Sequence, residues 1–148
     1  MDNSVYLRKV TEDDMLLLFK WANDPIVRNN SFHSEQIHLT DHKKWFSQLL
    51  NDSNQIQYIL MRGDSPVGQI RASIIDRETA LINYSIDEKY RGLGYGSIMI
   101  DLLKRKIHDD NDSIQTLIGH VKPENAASKK CFEKNGFIAT YVEYRIDV

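Results

Sequence analysis

The alternation of apolar and polar residues divides the chain into short strands and helices. Residues 5–10 are β-prone, and Thr11 after them opens a capping box that begins a helix. This helix carries apolar residues as far as Trp21 and should end before Pro25, since the residue preceding a proline is pushed out of the α region. A polar loop leads to a second helix, which Thr40 caps, and its apolar face is formed by His42, Trp45, Phe46 and Leu49.

The middle of the chain changes from a helical to a strand-like period. Residues 55–61, 67–75 and 80–86 are short β-prone runs joined by turns, and this spacing predicts an antiparallel meander. A glycine-rich turn and an apolar helical stripe then lead to another β-prone run at residues 114–121. Because a helix connects this run to residues 80–86, the two strands should be parallel.

The last third predicts one more helix and one more strand. The helix begins at Asn125 and ends at Gly136, a natural left-handed helix stop, and residues 138–146 should form the final strand. The order β-α-α-β-β-β-α-β-α-β predicts an α/β (α+β) domain with a mixed sheet. The 148 residues, 41% of them hydrophobic, suit one core, so residues 1–148 are interpreted as a single domain.

Composition removes several classes of function. The net charge of -2 offers no general positive field for nucleic acid or an anionic membrane. No apolar run approaches the roughly 18 residues of a membrane span, and the first residues lack a basic leader, so we expect a cytoplasmic protein. Cys131 is the single cysteine, and no histidines have metal-ligand spacing with carboxylates. We therefore expect no disulfide and no metal.

The glycine-rich turn at residues 91–96 is the most informative segment for chemistry. It follows a strand and opens a helix, so backbone N-H groups at the positive end of the helix dipole can bind a phosphate without side-chain charge. It is neither a Walker loop nor the G-x-G-x-x-G dinucleotide fingerprint. The turn predicts an anion cradle, and the alternative is a tight structural turn.

Two motifs resemble those of the GCN5-related N-acetyltransferase family. Arg91, Gly94 and Gly96 match its R/Q-x-x-G-x-G/A signature, while Asn125 and Ser128, with Gly136-Phe137 beyond them, are similar to its later motif. The resemblance implies a mostly antiparallel sheet of six to seven strands with about four helices, in which strands 4 and 5 are parallel and splayed. It implies acetyl-CoA as the acetyl donor. The residues that it implies for binding acetyl-CoA are Tyr84, Ser85, Ile86, Arg91, Gly92, Leu93, Gly94, Tyr95, Gly96, Ser97, Asn125 and Ser128.

The catalytic acid and base are less clearly marked. Many family members have a tyrosine seven residues after the motif asparagine, where this chain has Phe132. Ser128 lies on the same helical face and is the candidate proton donor, with Tyr90 and Tyr95 as alternatives. The alternative for Ser128 is a structural role, in which its hydroxyl forms a local hydrogen bond with the helix backbone. His42 is the candidate general base because of its pKa range, and His120 competes with it. The alternative for His42 is a packed histidine.

The amino-terminal third bears on the acceptor. It resembles acetyltransferases that act on nucleotide-linked 4-amino sugars in pseudaminic-acid-type pathways, and less closely the ribosomal-protein N-terminal acetyltransferases. The guanidinium of Arg28 suits a diphosphate and a tryptophan can stack on a base or sugar, although a tryptophan at helical spacing is more often core. The candidate acceptor-binding residues are Trp21, Asn23, Arg28, His42 and Trp45.

We thus expect an N-acetyltransferase whose partner is a small-molecule amine acceptor, a sugar nucleotide of the UDP-4-amino-sugar type. The first alternative is acetylation of protein N-termini. The second, from another class, is a non-catalytic CoA-binding module, which only the missing tyrosine supports. A homodimer is the assembly considered beside a monomer.

Overall fold

The computed structural model describes residues 4–148 and contains one mixed sheet. Its strands lie in the order β1-β2-β3-β4-β5. The first three pairings are antiparallel, and β5 runs parallel to β4, so the predicted meander and the predicted parallel pair are confirmed. The strands are β1 (Val5–Lys9), β2 (Gln55–Arg62), β3 (Ser65–Ile74), β4 (Thr79–Ile86) and β5 (Thr116–Gly119).

Five α-helices accompany the sheet within the described part of the chain: α1 (Met15–Ala22), α2 (Pro25–Asn30), α3 (Leu39–Asn51), α4 (Tyr95–Asp110) and α5 (Ala126–Lys134). The prediction missed α2 and assigned its residues to a loop. Pro25 is the first helical residue, where a proline is favoured, and the carboxylate of Asp24 accepts hydrogen bonds from two first-turn amides. Helix α3 begins one residue before Thr40, with His38 at its N-cap.

The predicted final strand at residues 138–146 is wrong. Residues 137–148 form neither helix nor strand, and apolar side chains there stand in solvent, Tyr144 with 93% of its surface exposed. The alternation of this segment suits a strand, but a strand is stable only when a neighbour takes its backbone hydrogen bonds, and none does. The described residues thus have five strands and five α-helices, against six to seven and about four expected.

The two faces of the sheet are covered by different helices. Even-numbered residues such as Tyr58, Ile70 and Ile82 pack in the larger core with Met99 and Leu103 of α4. On the other face, α1 and α3 build a smaller core whose members are Leu18, Trp21, Phe46, Leu49, Ile59 and Met61. That smaller core covers β2, so the odd-numbered face of β3 and β4 is left for polar side chains.

None of the helices within residues 4–148 is both long enough and apolar enough to cross a lipid bilayer.

Candidate active site

A slot opens where β4 and β5 separate. Their pairing ends at Ile82 and Gly119, yet β4 continues to Ile86, so its last four residues have no partner strand on the β5 side. The ring of Phe132 lies directly against Gly119, because a Cβ there would stand only 2.3 Å from the Cζ atom. The structure therefore has the splayed pair that the family resemblance implied, with a free strand edge beside helix α5.

The glycine-rich turn lies at the end of β4 and opens α4. Gly92 has φ +75° and Gly94 has φ +87°, in the left-handed region that only glycine adopts readily, and the space where their side chains would lie is empty. Gly94 is the N-cap of α4, whose first-turn N-H groups have no partner within the helix. This geometry fits a pyrophosphate, which would approach the backbone closely and meet the positive end of the helix dipole.

Arg91 holds this turn in place. Its Nε donates to the carbonyl oxygen of Ile86 at 3.1 Å, and its Nη2 lies 2.9 Å from Oδ1 of Asp24. Asp24 also caps α2, so one ion pair ties the glycine turn to the helix that follows α1. In this arrangement the Arg91 side chain shapes the turn instead of pointing freely at a ligand.

The remaining predicted coenzyme residues border the same region. Leu93 is exposed at the tip of the turn, and the Tyr95 ring packs edge-on against that of Tyr90. Gly96 allows close packing, since a Cβ there would stand 3.0 Å from the Cys131 sulfur. Ser97 accepts hydrogen bonds from the side chain of Asn135, which joins α4 to the end of α5. The turn is thus held from both sides.

A pair of hydrogen-bonded, largely buried hydroxyl groups lies beside the slot. Tyr84 Oη donates to Ser128 Oγ at 2.8 Å, and the Ser128 amide donates to the side chain of Asn125, the N-cap of α5. Burial raises the pKa of Tyr84 well above its ordinary value. The ring of Phe132 packs edge-on against Tyr84. Because Ser128 Oγ accepts from Tyr84, its own hydrogen is free to be donated elsewhere.

The sequence had assigned only the backbone of Tyr84. The phenylalanine at position 132 was the signal that another hydroxyl should be sought. Which one it is depends on the packing of α5 against β4.

His42 lies inside the smaller core, with 2% of its surface exposed. Its Nε2 is 2.9 Å from the carbonyl oxygen of Met15, and its ring packs between Phe19 and Trp45. Burial lowers the pKa of His42, against a smaller opposing effect of the Met15 carbonyl. These contacts favour the alternative of a packed histidine.

His120, by contrast, is exposed and follows Gly119 at the point where β5 leaves β4. Its ring makes an edge contact with Phe32 from the loop between α2 and α3, and nearby Lys122 donates to the carbonyl oxygen of Asn29. The amino-terminal loop and the end of β5 therefore meet beside the slot.

Two of the predicted acceptor-binding residues make internal contacts. Trp21 is 3% exposed and its Nε1 donates to Oδ2 of Asp87 at 2.8 Å. Burial alone would raise the pKa of Asp87, but hydrogen bonds from Trp21 and the Lys89 amide, with Lys20 nearby, hold that pKa below its usual value. Asn23 both donates to and accepts from the backbone of Ile37, at 2.8 Å each. Both residues organise the loop and the core in this structure.

Arg28 behaves similarly. Its guanidinium donates to the carbonyl oxygens of Ala22 at 2.6 Å and His33 at 2.9 Å, and also to the hydroxyl of Ser31. Burial lowers the pKa of Arg28, with a weaker opposing influence of Glu35. Because the guanidinium of Arg28 already uses its donors in these hydrogen bonds, it is poorly placed to bind a diphosphate.

Trp45 is the predicted acceptor residue whose ring contacts a charged side chain. Its ring is partly buried, and the Cζ atom of Arg71 lies 5.2 Å from the ring centroid. Arg71 belongs to a row of polar side chains on β2, β3 and β4, which we call the polar sheet face. Its members are Gln57, Gln69, Arg71, Asn83 and Ser85.

Hydrogen bonds link most of the polar sheet face. Gln57 Nε2 donates to Gln69 Oε1 at 2.8 Å, and Gln69 Nε2 donates to Asn83 Oδ1 at 3.0 Å and to Ser85 Oγ at 3.2 Å. Asn83 is exposed and is the first residue of β4 beyond the last pair with β5. The sequence reasoning did not single these residues out. Their signal was the run of polar residues at odd positions in strands whose even positions are apolar.

A metal centre has no candidate ligands in the part of the chain that the structure describes, where no group of three or more His, Cys, Asp and Glu side chains would hold an ion.

The family is established by comparison with known proteins. Residues 4–138 match the model of the acetyltransferase (GNAT) domain. The chain therefore belongs to this family, which consists of acyltransferases that take the acetyl group from acetyl-CoA. No curated protein matches the chain.

Solved structures share the fold. Spermidine N-acetyltransferase from Vibrio cholerae, in complex with CoA and spermine, superimposes with a TM-score of 0.86 at 15% identity, over 97% of this chain and 88% of that one. Aminoglycoside acetyltransferase AAC(6')-Ib with coenzyme A gives 0.79 at 20% identity, over 93% and 86%. A domain from Methanocaldococcus jannaschii DSM 2661 gives 0.81 at 20% identity, over 94% and 91%. At these identities the similarity shows the fold.

Proposed function

We propose that this N-acetyltransferase acts on a nucleotide-activated amino sugar of the UDP-4-amino-sugar type. The observation that carries the proposal is the polar sheet face, whose exposed carboxamide Asn83 lies beside the start of the slot and whose Arg71 contacts the ring of Trp45. Carboxamides both donate and accept, as sugar hydroxyls require, and an aromatic ring packs well on a sugar or base. A hydroxyl-rich acceptor suits these groups.

The two carboxylates that contact the glycine turn and the end of β4 favour the same choice. A polycation such as spermine, or an aminoglycoside, is best held by free carboxylates. Asp24, however, is paired with Arg91, and the buried carboxylate of Asp87 accepts from Trp21 and the Lys89 amide. Neither is available to bind a second cation without losing these contacts.

The donor site is assigned to the slot and the glycine turn. Gly92, Gly94 and the first-turn amides of α4 would hold the pyrophosphate, and the free edge of β4 at residues 84–86 would pair with the pantetheine arm. Acetyl-CoA, when bound, supplies an activated thioester carbonyl. A backbone N-H of the β4 edge would polarise that carbonyl, which needs no side chain.

Two side chains complete the proposal. Ser128, supported by its hydrogen bond from Tyr84, donates a hydrogen bond to the departing thiolate. For the general base we favour His120 over His42, because His120 is exposed beside the slot, whereas His42 is enclosed by aromatic rings. A base must reach the acceptor amine, directly or through one water.

The test is release of thiol after the protein is mixed with acetyl-CoA and one acceptor at a time. The acceptors are UDP-linked 4-amino sugars, peptides with free N-termini, an aminoglycoside and spermine. Turnover should be fastest with the UDP-sugars. Faster turnover of peptides would favour the N-terminal acetyltransferase alternative, and faster turnover of the polycations would contradict the proposed acceptor. If the protein binds CoA but releases no thiol with any of these acceptors, the result would favour the non-catalytic CoA-binding module.

Assembly and location stay predictions. Light scattering after size-exclusion chromatography distinguishes the homodimer from the monomer, and fractionation of cells tests the cytoplasmic location that composition favours.

A further inference from the structure

We propose that Arg71 is the anion-binding residue of the acceptor site, so that the acceptor carries a phosphate group beside the sugar that bears its amine. This inference rests on the proposed function, because it names the group by which that same site selects its substrate.

Arg71 is a cation without a counter-ion. The residues that the structure describes place no carboxylate within ion-pair distance of its guanidinium and no hydrogen-bond acceptor on it; its recorded contact is with the face of Trp45, at 5.2 Å. Burial lowers the pKa of Arg71, with no opposing charge to offset it. The other arginines near the slot, Arg28 and Arg91, are fully engaged in holding loops. Arg71 alone among these three keeps its fork of donors unused.

An unpaired cation in such surroundings is costly. Removing a charged group from water without a partner is strongly unfavourable, and stacking on an aromatic ring returns only part of that cost. The cost is recovered when an anion binds, because a guanidinium can donate two parallel hydrogen bonds to phosphate oxygens. Gln57, directly opposite Arg71 on β2, has a buried Oε1 without a donor, which a hydroxyl of the acceptor or a water would satisfy.

The position of Arg71 suits a single acceptor molecule. Arg71 is paired with Asn83 across β3 and β4, so their backbones lie about 5 Å apart, and Asn83 precedes Ser85 by two residues, about 7 Å along the strand. The backbones of Arg71 and Ser85 are thus separated by a distance on the order of 8 Å. One sugar ring with an amine at one side and a phosphate at the other spans such a gap.

The same cation disfavours a polycationic acceptor. A second positive charge close to a partly buried guanidinium is repelled, since the low local dielectric strengthens the interaction. Because of this repulsion, the acceptor preference of this chain would differ from that of the structural neighbours, which bind spermine and aminoglycosides.

The experiment compares two acceptors that share one amino sugar: its UDP derivative and its uncharged methyl glycoside. Wild-type protein should use the UDP-sugar with the higher kcat/KM. Arg71→Gln should lower kcat/KM for the UDP-sugar by about 10- to 100-fold and leave the glycoside within about 3-fold, as expected for lost charge-assisted hydrogen bonds. Arg71→Lys keeps the charge but not the paired donors of the guanidinium, so its kcat/KM for the UDP-sugar should lie between those of the wild type and Arg71→Gln.

Binding is measured separately, by calorimetric titration of UDP into each protein without acetyl-CoA. UDP should bind the wild type and lose about 10-fold or more in affinity with Arg71→Gln. Arg77→Gln is the matched control, because it makes the same change on an exposed turn and should alter neither readout. Thermal melting verifies that each variant is folded.

The outcomes separate the two proposals. If the UDP-sugar is acetylated but Arg71→Gln affects both acceptors equally or neither, the role of Arg71 is refuted while the proposed function stands. If neither amino sugar is acetylated and the peptides or polycations are, the proposed function fails, and the UDP titration then decides whether Arg71 binds an anion at all.

Discussion

Replacing Ser128 by alanine and Tyr84 by phenylalanine, singly and together, tests whether the buried hydroxyl pair assists departure of the thiolate. The two oxygens are 2.8 Å apart, and each replacement removes one hydroxyl with little change of shape. Ser128→Ala removes the proposed donor. Tyr84→Phe keeps that donor and removes the hydrogen bond that orients it.

The size of the effect follows from the acidities. An ordinary tyrosine has a pKa of about 10 and a thiol about 8.5, so even from tyrosine, the more acidic member of the pair, full proton transfer to the thiolate is uphill by about 2 kcal/mol. Burial raises the pKa of Tyr84 further, which makes complete transfer less favourable still. The pair must therefore act mainly by hydrogen bonding to the developing charge, which is worth about 1.5–3 kcal/mol. We expect Ser128→Ala to lower kcat by about 10- to 100-fold.

Tyr84→Phe should cost no more than Ser128→Ala, and the double variant about as much as the larger single loss, because the two hydroxyls act as one unit. The assay is steady-state kcat at saturating acetyl-CoA and acceptor. Since the protonated form is the active one and the pKa of Tyr84 is raised, this group should cause no loss of rate as the pH rises toward 10. Tyr90→Phe, which alters another tyrosine near the turn, should leave kcat unchanged.

An unchanged kcat in Ser128→Ala would refute the assignment of the donor, and multiplicative losses in the double variant would show that the hydroxyls act independently. A large loss in Tyr90→Phe would move the role to that residue. Leaving a buried hydroxyl without its partner costs about 1–3 kcal/mol of stability. Thermal melts of each variant therefore show whether a loss of rate is caused by unfolding.

Three further predictions concern packing and protonation. Gly119→Ala places a Cβ 2.3 Å from the Phe132 ring, so we expect a loss of about 1–3 kcal/mol and a fall in Tm of about 3–10 °C; an unchanged melt would contradict this packing. Gly94→Ala must adopt φ +87° in open space, so backbone strain alone should raise KM for acetyl-CoA while KM for the acceptor is retained. His42 has a lowered pKa, so the unfolded chain binds a proton that the folded chain does not, and stability should fall as the pH drops below about 6.5. Urea titrations at pH 5 and 8 should show that His42→Gln removes this pH dependence of the free energy of unfolding. The variant should keep kcat within a few-fold of the wild type, and a loss of kcat would instead favour His42 as the general base.

The sequence by itself predicted most of the elements whose causes are local, although α2 was missed despite its Asp24 cap and Pro25. The periods of the strands predict the meander, a helix between two strands predicts the parallel pair, and Asn125 and Gly136 mark the ends of α5. The glycine turn at residues 91–96 was recognisable for the same reason, because positive φ angles require particular residues at particular places. These features depend on neighbours a few residues away.

The tertiary structure alone decided which distant side chains meet. Tyr84 and Ser128 are 44 positions apart, and Trp21 and Asp87 are 66 apart, so no local pattern reveals either hydrogen bond. The same holds for Arg71, since only the tertiary structure shows that none of the carboxylates within residues 4–148 lies within ion-pair distance of it. The final strand at residues 138–146 failed in the opposite direction, since a suitable alternation cannot form a strand without a partner. Local preference sets the elements of this protein, but register and helix packing determine its site.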